Sequence, residues 1–153
     1  MQTRLYLTRD DMLSLPLAEQ LKKAGLEWHP ALHDTFAIPD RGLDERRFVI
    51  TEVMTYIEFF RGSPMVTFHG TAEWALDYIL QTEAVWVPSE TQLREMVAGY
   101  ASALSLEQKP DGTTLSLQLD GERLQFTAAD ACDAYGAALL QLLWREVADP
   151  ETN

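Results

Sequence analysis

Cysteine is almost missing from this chain of 153 residues, where Cys132 is the only one. One thiol closes no internal disulfide and offers no zinc-type spacing, which excludes disulfide-stapled and zinc-ribbon classes. Set among Ala131, Ala134 and Tyr135, it reads as a small buried apolar residue rather than a reactive nucleophile. Long apolar runs are also lacking. The longest, Ala137 to Trp144, is interrupted by Gln141 and falls well short of the ~20 residues that cross a bilayer. Met1-Gln2-Thr3-Arg4-Leu5 has no apolar core of a secretion signal, so the cytoplasm is the expected location. There is no G-x-S-x-G, P-loop, C-x-x-C or dinucleotide fingerprint. No cofactor or resident metal is therefore expected, and the chain leans away from an enzyme.

Positive charge is scarce as well. Twelve Lys and Arg face twenty-four Asp and Glu, for a net charge of −12. That argues against general affinity for nucleic acid or for an anionic membrane. The imbalance is uneven. Residues 1–61 hold 8 basic and 10 acidic groups, whereas residues 62–153 hold 4 and 14, a net of −10. Such a half can face a basic partner, imitate a nucleic-acid backbone, or simply form a solvated surface.

What is present points to one α+β domain over 1–148, with a flexible tail at 149–153. The hydrophobic fraction of 46% and charged fraction of 24% are those of a chain that buries a core. Thr8, Asp10 and Asp11 read as a helix start. Ser14 and Pro16 then open a helix from Leu15 to about Ala24, with Gly25 as its stop. Pro30, Pro39 and Gly42 punctuate the next stretch, which suits short strands at Leu26–His29 and Thr35–Ile38. Phe48–Phe60 fits helix and strand alike, and its β-branched composition favours strand. Gly62-Ser63-Pro64 then turns into a strand at Met65–Phe68. Gly70-Thr71 opens a helix over Ala72–Gln81.

Ser89 and Gln92 form a capping box for a further helix, with Leu93, Met96, Val97 and Tyr100 inward. A meander follows: Ala103–Glu107, Thr113–Leu119 and Arg123–Phe126, turned at Pro110-Asp111-Gly112 and Asp120-Gly121. Thr127 and Asp130 cap a last helix to about Val147, with Tyr135, Leu139, Leu142 and Leu143 as its core stripe. The expected architecture is an antiparallel sheet, the C-terminal meander plus short N-terminal strands, flanked by helices. Local echoes such as Glu19-Gln20-Leu21 and Thr91-Gln92-Leu93 suit a diverged α-β-β-α duplication, or coincidence between common helix starts.

Candidate chemistry gathers in three places. Glu27, His29, His33 and Asp34 put two imidazoles and two carboxylates within eight residues, all able to ligate a divalent metal. Pro30 after His29 disfavours the helix that would align the rings, so turn-fixing residues are the plainer reading and no metal site is assigned. His69 precedes Gly70-Thr71 at a strand–helix junction that can hold an anion, or Thr71 merely caps the helix. Arg41, Arg46 and Arg47 stand among Asp40, Asp44 and Glu45, and their forks suit carboxylate or phosphate. His29, His33, Asp34, His69, Arg41 and Arg47 thus form the candidate ligand set.

Tryptophan is plentiful, at four residues. Trp28-His29-Pro30 and Trp86-Val87-Pro88 repeat a Trp-x-Pro pattern outside regular structure. Most rings should be core, but Trp28 and Trp86 are the candidates for interface anchors. Glu83, Glu90 and Glu95 join them as candidates on the acidic half.

The run from Trp28-His29-Pro30 to Asp40, with Thr67-Phe68-His69-Gly70-Thr71-Ala72-Glu73-Trp74-Ala75-Leu76-Asp77, resembles short uncharacterised bacterial proteins. Some of these bear a pilus-assembly label. The resemblance covers about half the chain, contains no motif of known function and assigns no residue a job. The leading expectation is a non-enzymatic protein-binding or assembly module that meets a protein partner or itself as a homo-oligomer, and neither nucleic acid nor membrane. The alternatives are a small metal- or anion-dependent enzyme or ligand sensor using the histidines, and an acidic nucleic-acid mimic acting as an inhibitor.

Overall fold

A computed structural model of the chain describes residues 12–39, 47–50 and 83–148, together with the backbone of 55–60, 63–68 and 78–80. Its elements are α1 (Leu15–Lys23), β1 (Thr35–Ala37), β2 (Phe48–Val49), β3 (Thr55–Phe60), β4 (Ser63–Phe68), β5 (Tyr78–Leu80), β6 (Val85–Val87), α2 (Glu90–Ala98), β7 (Ala103–Lys109), β8 (Gly112–Leu119), β9 (Glu122–Ala128) and α3 (Ala131–Ala148). The fold is α+β, with the C-terminal three-stranded antiparallel meander, short N-terminal strands and, among the described residues, three helices. Among the described residues the strands form three three-stranded sheets, β2-β1-β6, β3-β4-β5 and β7-β8-β9, rather than the one sheet expected. Two compact units result: one takes the chain up to Leu26 and from Pro88 onward, the other Glu27–Val87.

In the first unit, local signals set each element. Pro16 fits the first turn of α1, where its missing N–H costs nothing. Gly25, at φ 102°, lets the helix end in a left-handed turn. There the Leu26 N–H donates to Leu21 O at 3.0 Å and the Gly25 N–H to Lys22 O at 3.1 Å, the paired bonds of a Schellman stop. Ser14 has the extended backbone of a cap, but its side chain makes no capping bond. Its N–H donates instead to Asp133 Oδ1 at 2.9 Å, tying the start of α1 to the first turn of α3. In α2 the capping box forms as the spacing predicts. The Gln92 N–H donates to Ser89 Oγ at 3.1 Å and the Ser89 N–H to Gln92 Oε1 at 2.9 Å.

The meander separates its two faces by strand alternation. Cross-strand pairing aligns Leu104, Leu117 and Leu124 in one row and Leu106, Leu115 and Phe126 in the next. Leu115 and Leu117 are fully buried, each worth about 2 kcal/mol of burial. α3 packs across β8 and β9, and against α1 and α2. The other face carries Ser105, Ser116 and Gln125 in a polar row. α3 is capped by Asp130, whose Oδ1 accepts the Asp133 N–H at 2.9 Å. Thr127, expected in that cap, belongs to β9 and pairs its hydroxyl with that of Thr114 at 3.1 Å. α1 and α3 meet closely at Gly136, where a Cβ would lie 2.6 Å from Leu13 Cδ1 and 2.8 Å from Leu17 Cδ2.

In the second unit, β1 is central, pairing Phe36 with Phe48 on one side and with Trp86 on the other. Phe36, Ile38, Ile50 and Ala84 form its core, with Trp28 and Phe48 packed against them. β4 pairs in antiparallel fashion with β3, from Thr55–Phe68 to Phe60–Ser63, and with β5 at Met65–Thr67.

Several expectations need correction here. Leu26–His29 is irregular, not strand, because the Leu26 N–H is used in the helix stop and Pro30 lacks a ladder donor. Phe48–Phe60 is strand rather than helix at its two ends, but in separate sheets. Ser63 and Pro64, expected in a turn, already belong to β4. Tyr78–Leu80, placed in a helix over Ala72–Gln81, is a strand, since pairing with β4 outweighs helical spacing. Tyr100 is exposed rather than inward. The helix start at Thr8, Asp10 and Asp11, residues 72–77 and 81 of the expected helix and the tail at 149–153 lie outside the described residues.

Candidate binding surface

Asp34 is the organising residue of the histidine segment. It is 5% exposed, and its Oδ2 accepts the Trp28 indole N–H and the Ala31 N–H, both at 3.0 Å. The His33 N–H donates to Ile50 O at 2.8 Å and the Ile50 N–H to Asp34 O at 3.0 Å, fixing the loop to the sheet end. Asp34 thus serves as a buried acceptor that holds a turn. His33 adopts φ 74° and is exposed. His29 is exposed too, with Nε2 3.6 Å from Glu27 Oε2. Neither imidazole joins the Asp34 carboxylate, and no group of three or more His, Cys, Asp or Glu among the described residues is placed to hold a metal. Arg47 is half-buried beside β2. His69 and Arg41 lie outside the described residues.

The two Trp-x-Pro segments meet. Trp28 and Trp86 stack with ring centroids 6.5 Å apart and planes 10° from parallel, and Trp28 also touches Phe36 at 5.7 Å. Both rings are half-buried. Glu83 is half-buried before β6, and Glu90 and Glu95 are exposed on α2.

The exposed apolar side chains of the first unit lie elsewhere. Tyr100 is 39% exposed, Trp144 52% and Val147 73%. α3 buries Ala131, Cys132, Ala134, Tyr135, Ala138, Leu139, Leu140 and Leu142, and then emerges. Trp144 and Val147, three residues apart, share one exposed side of its last two turns. Leu142, Arg145 and Glu146 line an open depression of about 560 Å³ with Tyr100, Leu119 and Glu122.

The rim of that depression is ordered by two contacts. Arg145 grips Glu122 with a two-pronged fork, Nη1 to Oε2 at 3.0 Å and Nη2 to Oε1 at 2.9 Å. These bonds hold the Glu122 carboxyl below its usual range and raise Arg145. The Tyr100 hydroxyl donates to Glu146 Oε2 at 2.9 Å. Partial burial first, then the hydrogen bond to Glu146 and its charge, push the Tyr100 phenol above its ordinary value. Burial, with the nearby charge of Glu90, likewise raises Tyr135. The arrangement offers recognition: a ring surface, an apolar floor and fixed charges.

Sequence reasoning gave the last helix the core stripe Tyr135, Leu139, Leu142 and Leu143, singled out no exposed ring on it, and passed over Glu122, Arg145 and Glu146. Helical spacing carried the signal, because Trp144 stands 200° around the helix from Leu142 at 100° per residue, off the Tyr135–Leu139–Leu142 stripe. No protein-family model matches the chain, and no curated protein or solved structure matches it either.

Proposed function

We propose that this protein is a non-enzymatic binding or assembly module that engages a protein partner through the C-terminal end of α3. One observation carries the reading. Trp144 and Val147 stand exposed, at 52% and 73%, on the helix that otherwise supplies the core of its unit. Tryptophan and tyrosine dominate interface hot spots because a large rigid ring buries much area at small entropic cost. The partner is another protein or a second copy of this chain, and the acidic residues 62–153 favour a basic one.

Affinity capture of the tagged protein from its own cells tests this, comparing wild type with Trp144→Ala and Val147→Ser at low and high salt. The reading requires a stoichiometric protein partner that the wild type retains and both variants lose. Identical proteins captured by all three, or no protein partner at all, would sink it. Light scattering of the purified chain distinguishes self-association from a different partner.

A further inference from the structure

The depression beside the end of α3 has a chemistry that narrows the partner, provided the binding-module reading holds. We infer that it is a docking groove for a basic amphipathic segment of a partner protein, taking a lysine or arginine at its rim and an apolar side chain on its floor.

Three features select this occupant. Its size, about 560 Å³, is that of a small-ligand pocket, in the usual range of about 300–1,000 Å³, yet it is open to solvent along one side. An open groove suits side chains projecting from a peptide better than a molecule that must be enclosed. Leu119, Leu142 and Ala148 give it an apolar base.

Its charge is one-sided. Asp120, Glu122 and Glu146 face one guanidinium, that of Arg145, and both prongs of that fork are taken by Glu122. Glu146 gives one oxygen, Oε2, to the Tyr100 hydroxyl. Net negative charge from Asp120 and Glu146 is left at the rim. The C-terminal end of α3 adds the negative pole of the helix dipole at the same place. A cation is favoured there, whereas phosphate, nucleic acid or an acidic peptide is repelled. Residues 88–153, the stretch that supplies the whole groove, hold 4 basic and 11 acidic groups, a net of −7 that draws a basic segment in before contact is made.

The test is a titration of the full-length, ¹⁵N-labelled protein with a synthetic amphipathic peptide of lysine and leucine at helical spacing, and with its glutamate-for-lysine counterpart. The lysine peptide should shift the amides of Leu119, Glu122, Leu142 and Ala148, while the glutamate peptide leaves them in place. Asp120→Asn with Glu146→Gln should weaken binding about tenfold. Glu107→Gln with Asp111→Asn, which changes net charge equally but at the exposed β7–β8 hairpin away from the groove, should not. The assignment is overturned by an absence of shifts, by shifts outside the groove, or by equal weakening in both charge pairs. Concentration-dependent shifts at the same amides without peptide would also overturn it, by making a second copy the occupant. If the groove fails while Trp144→Ala still abolishes capture, the binding reading stands and only the occupant is wrong. If Trp144→Ala captures the same proteins as wild type, the broader reading fails on its own.

Discussion

At Tyr100, burial, a hydrogen bond to a carboxylate and the charge of that carboxylate all act in one direction, against ionisation of the phenol. The folded chain therefore holds this proton more tightly than the unfolded chain. The resulting contribution to stability is fully present below the ordinary tyrosine range and is lost as pH rises through the raised folded value. Glu146→Gln removes the charge and weakens the acceptor, so Tyr100 should ionise at lower pH in that variant and the alkaline loss of stability should shrink. Carbon-13 NMR of labelled tyrosine rings resolves Tyr100 from the other four tyrosines. Tyr135, raised mainly by burial, serves as the internal control and should not move. An unchanged Tyr100 titration in Glu146→Gln would show that the contact does not persist in solution. The same residue shows why a side chain is hard to place from sequence. Tyr100 follows Leu93 and Val97 at helical spacing, but α2 ends at Ala98 and the stripe ends with it.

Two serines at helix starts separate what is legible locally from what is not. Ser89 and Ser14 both precede a helix and both have extended backbone, yet only Ser89 caps with its side chain. Ser89→Ala should cost about 1 kcal/mol in denaturant unfolding, whereas Ser14→Ala should cost much less, since only the Ser14 backbone N–H is used. Equal losses would contradict the cap geometry. The capping box was readable because donor and acceptor lie three residues apart. The meander was readable for the same reason: Asp120-Gly121 fixes a turn, and alternation fixes which leucines face inward. Strand partners in the second unit were not readable, because β1 pairs with β6 across some fifty residues and no local pattern encodes that register. Tyr78–Leu80 shows the consequence, a helix-compatible stretch drawn into a sheet by its neighbour. The Trp-x-Pro repeat was visible as a pattern, and the stacking of Trp28 on Trp86 only through the fold. The histidine segment reads in sequence as turn-fixing residues in preference to a metal site, and the side chain that fixes the turn is Asp34 rather than an imidazole. The Asp34 carboxylate satisfies an indole and a backbone amide within the loop, and the rings of His29 and His33 point to solvent.

At the scale of the whole chain, scaffold and surface divide along α3. In the first unit, α3 builds a core with α1, α2 and the inner face of β8 and β9 along most of its length. Its last two turns then offer Trp144, Val147 and an acidic groove to the outside. A net charge of −12 would speed encounter with the basic partner proposed above more than it would tighten the final contact. High salt should accordingly slow association more than it speeds release. The most direct test of the account is site-specific photo-crosslinking in the protein's own cells, with the reactive group at position 144 or, for comparison, at position 107 on β7. One discrete protein adduct is expected from position 144 and none from position 107. No adduct from 144, or the same adducts from both positions, would contradict it.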